Sequence, residues 1–379
     1  MHNHISSNKL LAFVLIPLLL GAGCSESTSE PPDVSCADPG DICTIMGTGR
    51  RAQGQDERPP LGTDLYYPID LTFDAEGRLI VLDYNNQYVR RLDHDGLVRR
   101  IMGTGFEDYV QDGSAALETS LHHAYSFAYD AAGNLYLAGN HVSQIIRLGT
   151  DDRAWIVAGQ ETHGYSGDGG AALEAEMQYP CGVAVAADGF PIFVADTYNN
   201  VIRVVEESGS IRTIAGDGTP GYSGDNGPAE EARLDHPFRI RYHEAAGDLY
   251  IADRYNNAVR RIDSEGIITT IAGTGVAGFG PGGGAGTETA LREPLDARPG
   301  PDGAVYIADA GNNRLLRLDP ATGIISTVAG TGAEGNSGDG GPAVDAELHY
   351  PVALTFDDDG NLWFCDSYNS TIRKIQLNP

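Results

Sequence analysis

Lysine is almost absent from this 379-residue chain: Lys9 and Lys374 are the only two, so nearly all of its positive charge is arginine. Acids outnumber bases, 53 Asp plus Glu against 25 Lys plus Arg, for a formal net charge of −28. Such a surface repels phosphate backbones and argues against nucleic acid as a partner. It suits a solvated exterior and favours cations or basic partners. Long apolar runs are missing too, with one exception. Leu10–Leu20 is long enough for a signal-peptide core and too short to span a bilayer as a mature helix. Neither a G-x-S-x-G nucleophile elbow nor a Ser–His–Asp pattern is visible, which removes the common hydrolase signatures.

The apolar run follows Lys9 and ends at Leu20-Gly21-Ala22-Gly23-Cys24, which resembles the lipobox of bacterial lipoproteins, although Leu20 lies four residues before the cysteine rather than three. The resemblance implies acylation of Cys24, and Ser25 after it implies sorting to an outer membrane. The expected organisation is a signal peptide over 1–23, a lipidated flexible tether over 24–40, polar, acidic and proline-containing, and one large domain over 41–379. The expected location is the cell envelope, anchored through lipid only; without lipidation the chain would be secreted. Cys36 and Cys43 flank a short Pro-Gly turn and are expected to form a disulfide, whereas Cys181 and Cys365 fall on apolar strand positions as buried thiols.

What the chain has in abundance is repetition. An I-A-G-type element places Gly47, Gly103, Gly159, Gly216, Gly273 and Gly330 at intervals of 56 or 57 residues. An A-D-x-x-N-N element recurs with Asp83, Asp196, Asp253, Asp309 and Asp366, and Gly139 stands in the second copy. A fixed period of this size is one supersecondary unit stacked on copies of itself. Within the fourth copy, Phe238–Tyr242, Asp248–Ala252, Ala258–Ile262 and Ile267–Ala272 read as four strands bounded by turn residues. Four-stranded antiparallel units repeated radially make a propeller. The periodic part begins with a fourth strand, Ile42–Met46, and ends with a third, Thr371–Ile375. The reading is therefore an all-β, six-bladed β-propeller whose N-terminal strand completes the last blade.

The motifs P-x-[G/A/D]-[I/L/V], G-N-L-Y-I-A-D and N-N-x-I-R resemble those of the NHL-repeat propeller family, and the long Gly-Asp-rich inserts are similar to those of the teneurin propeller. The resemblance covers 42–375 and implies the fold. It leaves activity open, since such propellers include enzymes, RNA-binding modules and protein-interaction modules. The amidating lyases of this fold carry metal-binding histidines one residue after the inner-strand proline. Here that position holds Ile69, Tyr125, Cys181, Phe238, Leu295 and Val352, so that zinc site is absent.

The inserts (164–176, 221–233 and 335–347 among them) decorate one face with the D-x-x-N-N turns, where a binding site is expected. Their Asp168, Asp225 and Asp339 are expected to cap their own loops, with Ca²⁺ as the alternative. The Asp of A-D-x-x-N-N is expected to tie down neighbouring N–H groups. Arg90, Arg147, Arg203, Arg260, Arg317 and Arg373 are expected to pair with acids between blades. Where the copies disagree, charged groups stand near the axis: Asp70, Arg239 and Asp296, with an Arg239–Asp296 ion pair or a ligand site at the channel mouth as the two readings. The pre-proline positions add an aromatic and histidine-rich rim that includes His123, Tyr179, His236 and Tyr350. These seven residues are the candidate ligand site. The favoured function is a binding module for a protein or carbohydrate partner, with no catalytic residue, cofactor or metal ligand assigned. The alternative is a propeller lyase or hydrolase, metal-dependent through zinc or calcium, with its active site in the channel mouth.

Overall fold

A computed structural model describes Cys36 and residues 38–377; the expected leader, Cys24 and most of the tether lie outside them. Six antiparallel sheets are present. Their innermost strands, Pro68–Phe73, Ala124–Tyr129, Gly182–Val185, Pro237–His243, Pro294–Pro299 and Pro351–Phe356, touch in a closed ring, and so number blades one to six. In blade four the strands run outward as Pro237–His243, Asp248–Asp253, Ala258–Ile262 and Ile267–Ala272. The outer strand of blade six is Asp41–Met46, which pairs antiparallel with Thr371–Ile375, Ile42 opposite Ile375. Cys36 and Cys43 are disulfide-bonded, with Cα atoms 5.7 Å apart. Among the described residues no helix is long and apolar enough to cross a membrane.

Each blade face packs on its neighbour through apolar side chains, as in the cluster that holds Ile80 and Leu82 of blade one with Phe127 and Leu137 of blade two. Burying one such side chain stabilises by roughly 1.5–3 kcal/mol. The I-A-G glycine has a geometric reason to recur. At all six positions φ is between 89° and 106°, and a Cβ there would strike a backbone carbonyl of the preceding turn, Ser370 at Gly47 and Asn200 at Gly216, for example. Only glycine fits on both counts.

The A-D-x-x-N-N element builds a clamp. In blade three Asp196 accepts from the Gln178 N–H at 2.7 Å and from Asn199 Nδ2 at 2.9 Å, with the Arg203 guanidinium 3.7 Å away. Asn199 and Arg203 also donate to insert carbonyls, Gly164 at 2.7 Å and Ser166 at 2.8 Å. Asp83–Asn86–Arg90, Asp253–Asn256–Arg260 and Asp366–Asn369–Arg373 repeat the arrangement. The arginines thus pair within their own blade rather than between blades. Asp168, Asp225 and Asp339 do not cap their loops; they accept from Arg203, Arg260 and Arg373 at 2.6, 2.9 and 2.7 Å. Arg147 and Arg317 were expected in this set, but they lie one position later, on the other side of the strand. Blade five uses Arg314 instead, 2.7 Å from Asp309, and Arg317 pairs with Asp302. Period-two alternation makes a one-residue offset a change of face.

Blade two replaces the whole clamp. Gly139, Val142 and Ile146 stand where Asp, Asn and Arg stand in blades one, three, four and six, and a Cβ on Gly139 would lie 2.7 Å from Val142 Cγ2 and 3.2 Å from Ile146 Cδ1. Its insert is tied by Ser120, whose hydroxyl donates to the Phe106 carbonyl at 2.7 Å and accepts from the Asp108 N–H at 3.0 Å.

Candidate functional site

The residue that enters each inner strand is left-handed in all six blades: Tyr67, His123, Tyr179, His236, Glu293 and Tyr350 have φ of 55°, 59°, 51°, 52°, 44° and 56°. Five of them precede proline, which disfavours the right-handed helical region for the residue before it. In three blades the second Asn of the preceding N-N turn holds the strained N–H: Asn200 to His236 at 3.0 Å, Asn257 to Glu293 at 3.1 Å, and Asn313 to Tyr350 at 2.9 Å. Ser143 does so for Tyr179 at 3.4 Å. Side chains forced into this region cost on the order of 1–3 kcal/mol each, and such strain concentrates at functional sites.

The strained residues form a rim with aromatic groups of the D-x-x-N-N turns. Tyr350 stacks on Tyr368 at 4.7 Å, and Tyr368 meets Tyr67 at 5.2 Å. Tyr84 meets His123 at 5.0 Å, His123 meets His141 at 4.6 Å, His141 meets Tyr179 at 5.9 Å, and Tyr198, His236 and Tyr255 follow at 4.6–4.9 Å. Arg254 and Glu293 complete the circuit: Arg254 Nη2 donates to Glu293 Oε2 at 2.6 Å, and the Tyr350 hydroxyl donates to the same oxygen at 2.9 Å. These contacts hold the Glu293 carboxyl below its usual range against the opposing effect of burial. Beneath the rim Ile69, Cys181, Phe238, Leu295 and Val352 pack with Tyr125 as an apolar floor. The Tyr84 and Tyr125 hydroxyls meet at 2.8 Å above it.

Asp70, Arg239 and Asp296 lie below that floor, not at the mouth, and all three are 0% exposed. A bulge in the inner strand, between Pro68 and Asp70 in blade one, accommodates both the floor residue and the residue after it near the axis. Arg239 crosses from blade four and donates to the carbonyls of Ile69 at 2.7 Å, Tyr125 at 2.9 Å and Val352 at 3.4 Å. It plugs the axis and holds the floor from beneath. Its carboxylate is Asp70, at 3.5 Å, not Asp296. Asp296 is held by a two-pronged contact from Arg241 at 3.0 and 2.7 Å. Direct ligand contact is therefore open to four of the seven candidate residues, His123, Tyr179, His236 and Tyr350. The other three position the floor on which a ligand would rest.

Sequence reading missed Arg254, Tyr84, Tyr125 and Tyr368. Three of these four follow the clamp Asp, so the one or two positions after it, which vary between copies, carried the signal. His122, His123 and His141 gather with ring centroids 4.6–6.4 Å apart, but His236 and His349 do not join them. His236 pairs with Asp235 at 2.8 Å and His349 with Glu334 at 3.1 Å, and among the described residues no group of three His, Cys, Asp or Glu could hold a metal ion. Burial pushes the Cys181 thiol up to about 11, so it stays protonated at neutral pH.

The Teneurin NHL domain profile matches residues 39–221. Mouse teneurin-3 is 28% identical over 405 aligned residues, covering 95% of this chain and 14% of that protein. The Arabidopsis thaliana chloroplastic protein SUPPRESSOR OF QUENCHING 1 is 28% identical, covering 86% of this chain and 32% of that protein. The chain thus spans a minor part of the curated relatives it matches. Among solved structures, an auxiliary nutrient binding protein from Bacteroides ovatus superposes with a TM-score of 0.63 at 14% identity, covering 88% of this chain and 76% of that one. A streptogramin B lyase does so with a TM-score of 0.54 at 15% identity, covering 89% of this chain and 97% of that one. At these identities the likeness is one of fold.

Proposed function

Because the chain is a six-bladed propeller of NHL repeats, a scaffold that serves many chemistries, we propose from its site that it is a binding module whose ligand sits in the aromatic funnel of the insert face. The observation that carries this reading is the rim itself: six strained side chains, one per blade, over an apolar floor. The ligand class that fits is a neutral saccharide. Tyrosine faces suit the apolar side of a sugar ring. The Arg254–Glu293–Tyr350 group supplies donors and an acceptor side by side, as vicinal hydroxyls require. The nutrient-binding protein of like fold is consistent with a binding role.

Calorimetric titration of the protein with neutral oligosaccharides tests this. Arg254→Met and Tyr350→Phe are expected to weaken binding by about tenfold or more, the loss of a charge-assisted hydrogen bond, with the unfolding midpoint little changed. Tyr179→Ala is expected to do the same by removing a stacking face. No binding to any saccharide, or binding that these variants leave intact, overturns the ligand class and the site respectively.

The same proposal places the module on the cell envelope through Cys24, with the segment 25–40 as its tether. Cys24→Ala is expected to move the protein from the membrane to the soluble fraction on ultracentrifugation. Unchanged fractionation rejects the anchor and leaves the funnel reading standing.

A further inference from the structure

The far end of the axis, beneath the plug, carries more positive charge than its carboxylates neutralise. Two residues past the plug position, the six inner strands place Arg241, Arg298, Thr355, Thr72, Ala128 and Ala184 in ring order. Arg241, Arg298 and Thr72 keep partial access to solvent there, two of them guanidinium groups, whereas Thr355 is buried and blades two and three carry only methyl groups that leave space. The acids available are Asp70 and Asp296, and both are already occupied. Asp296 takes the fork of Arg241 and the Leu354 N–H at 2.9 Å. Asp70 takes the Leu71 and Phe127 N–H groups, each at 3.0 Å, besides Arg239 and Arg241. Three arginines therefore share two carboxylates.

Arg298 is the one left over. Its Nη1 donates to the Leu354 carbonyl at 3.1 Å, and no carboxylate pairs with it among the described residues. Unlike Arg239 it keeps partial access to solvent, as does Arg241. Burial and the repulsion of Arg241 lower its pKa to about 10. Ionised at neutral pH, it lies where water is scarce and a like charge is close. That is an arrangement an anion relieves.

We propose that this lower mouth of the axis binds one small oxyanion, held by Arg298 and Arg241 with the half-buried Thr72 at its edge. The planar fork of Arg298 matches two oxygens of such a group, and the ligand supplies the missing negative charge. The site is independent of the funnel, from which the Arg239 plug and the floor separate it. In a chain of net charge −28 it is a local inversion of sign, which makes a chance surface anion an unsuitable explanation for specific binding there.

The test is calorimetric titration of the purified protein with sodium phosphate and, separately, sodium sulfate against a sodium chloride control of equal ionic strength. One oxyanion per chain is expected, with a rise in thermal midpoint that grows with its concentration. Arg298→Gln is expected to weaken binding by about tenfold or more, and Arg298→Lys by less, since it keeps the charge and loses the fork. A wild-type protein that binds neither anion beyond the chloride control overturns the proposal without reference to any variant. Equal affinity of wild type and Arg298→Gln overturns the assignment of the site.

Discussion

Replacing Arg203 by isoleucine is expected to cost about 3–5 kcal/mol of stability, more than replacing the entire clamp around it. In the single variant Asp196 stays 0% exposed without its guanidinium, and the Ser166 and Glu176 carbonyls lose the donors that Arg203 brought at 2.8 and 2.9 Å. Burial already pushes the Asp196 carboxyl up to about 7 against the pull of Asn199, the Gln178 N–H and Arg203. Loss of the arginine drives it to take up a proton and leaves a buried acid with fewer partners. The triple variant Asp196→Gly, Asn199→Val, Arg203→Ile imports the solution that blade two already uses. Methyl groups fill the space, and no buried charge is left, since Asp168, which loses its Arg203 partner, has a side chain 41% exposed to solvent. It is expected to recover at least about 1–2 kcal/mol relative to the single variant, a non-additivity measurable by denaturant midpoints across the full cycle. A triple variant at or below the sum of its three single changes would show that Gly139, Val142 and Ile146 are unrelated departures from the repeat. The converse change, Gly139→Asp in blade two, has no cavity to enter and is expected to be strongly destabilising.

The second large effect is on the axis. Arg239→Met is expected to cost about 3–5 kcal/mol, because it strips a buried donor from the Ile69, Tyr125 and Val352 carbonyls and takes one of two guanidinium partners from Asp70. Its reach exceeds one blade. The guanidinium of blade four joins blades one, two and six, so hydrogen exchange of inner-strand amides is expected to accelerate all round the ring and not only beside the substitution. Arg239→Lys keeps charge and length but offers one donor centre, and is expected to recover part of the loss. Stability within about 0.5 kcal/mol of wild type for Arg239→Met, with unchanged exchange, would falsify the role of Arg239 as the element that closes the channel and supports the funnel floor.

Both effects bear on why some of this molecule is legible in its sequence. Strand, turn and blade number are written locally: apolar alternation, D-x-x-G turns, and a glycine every 56 or 57 residues whose carbonyl contact forbids a Cβ. The clamp is legible as to Asp and Asn, which keep fixed offsets. The Arg register was misread in blades two and five, because adjacent arginine positions such as Arg90 and Arg91 look alike in a string and differ only in the face they occupy. Of the candidate site, the rim was found through its departures from the repeat. The depth of Asp70, Arg239 and Asp296 was not, since a strand bulge decides which residues reach the axis and nothing in the local sequence announces it.

What the sequence by itself determined, then, is the ring: six four-stranded blades, an acidic exterior poor in lysine, inserts on one face and a mouth lined with aromatic groups. These follow from period, propensity and composition, which act over a few residues at a time. Only the tertiary structure decided that Arg239 seals the channel, that Arg254, Glu293 and Tyr350 stand together, and that Arg298 is the arginine without a carboxylate. Each of those facts depends on residues from different blades, brought within 2.7 to 3.5 Å only when the blades pack around the axis. At that range, burial and charge balance rather than local pattern determine what a side chain can do.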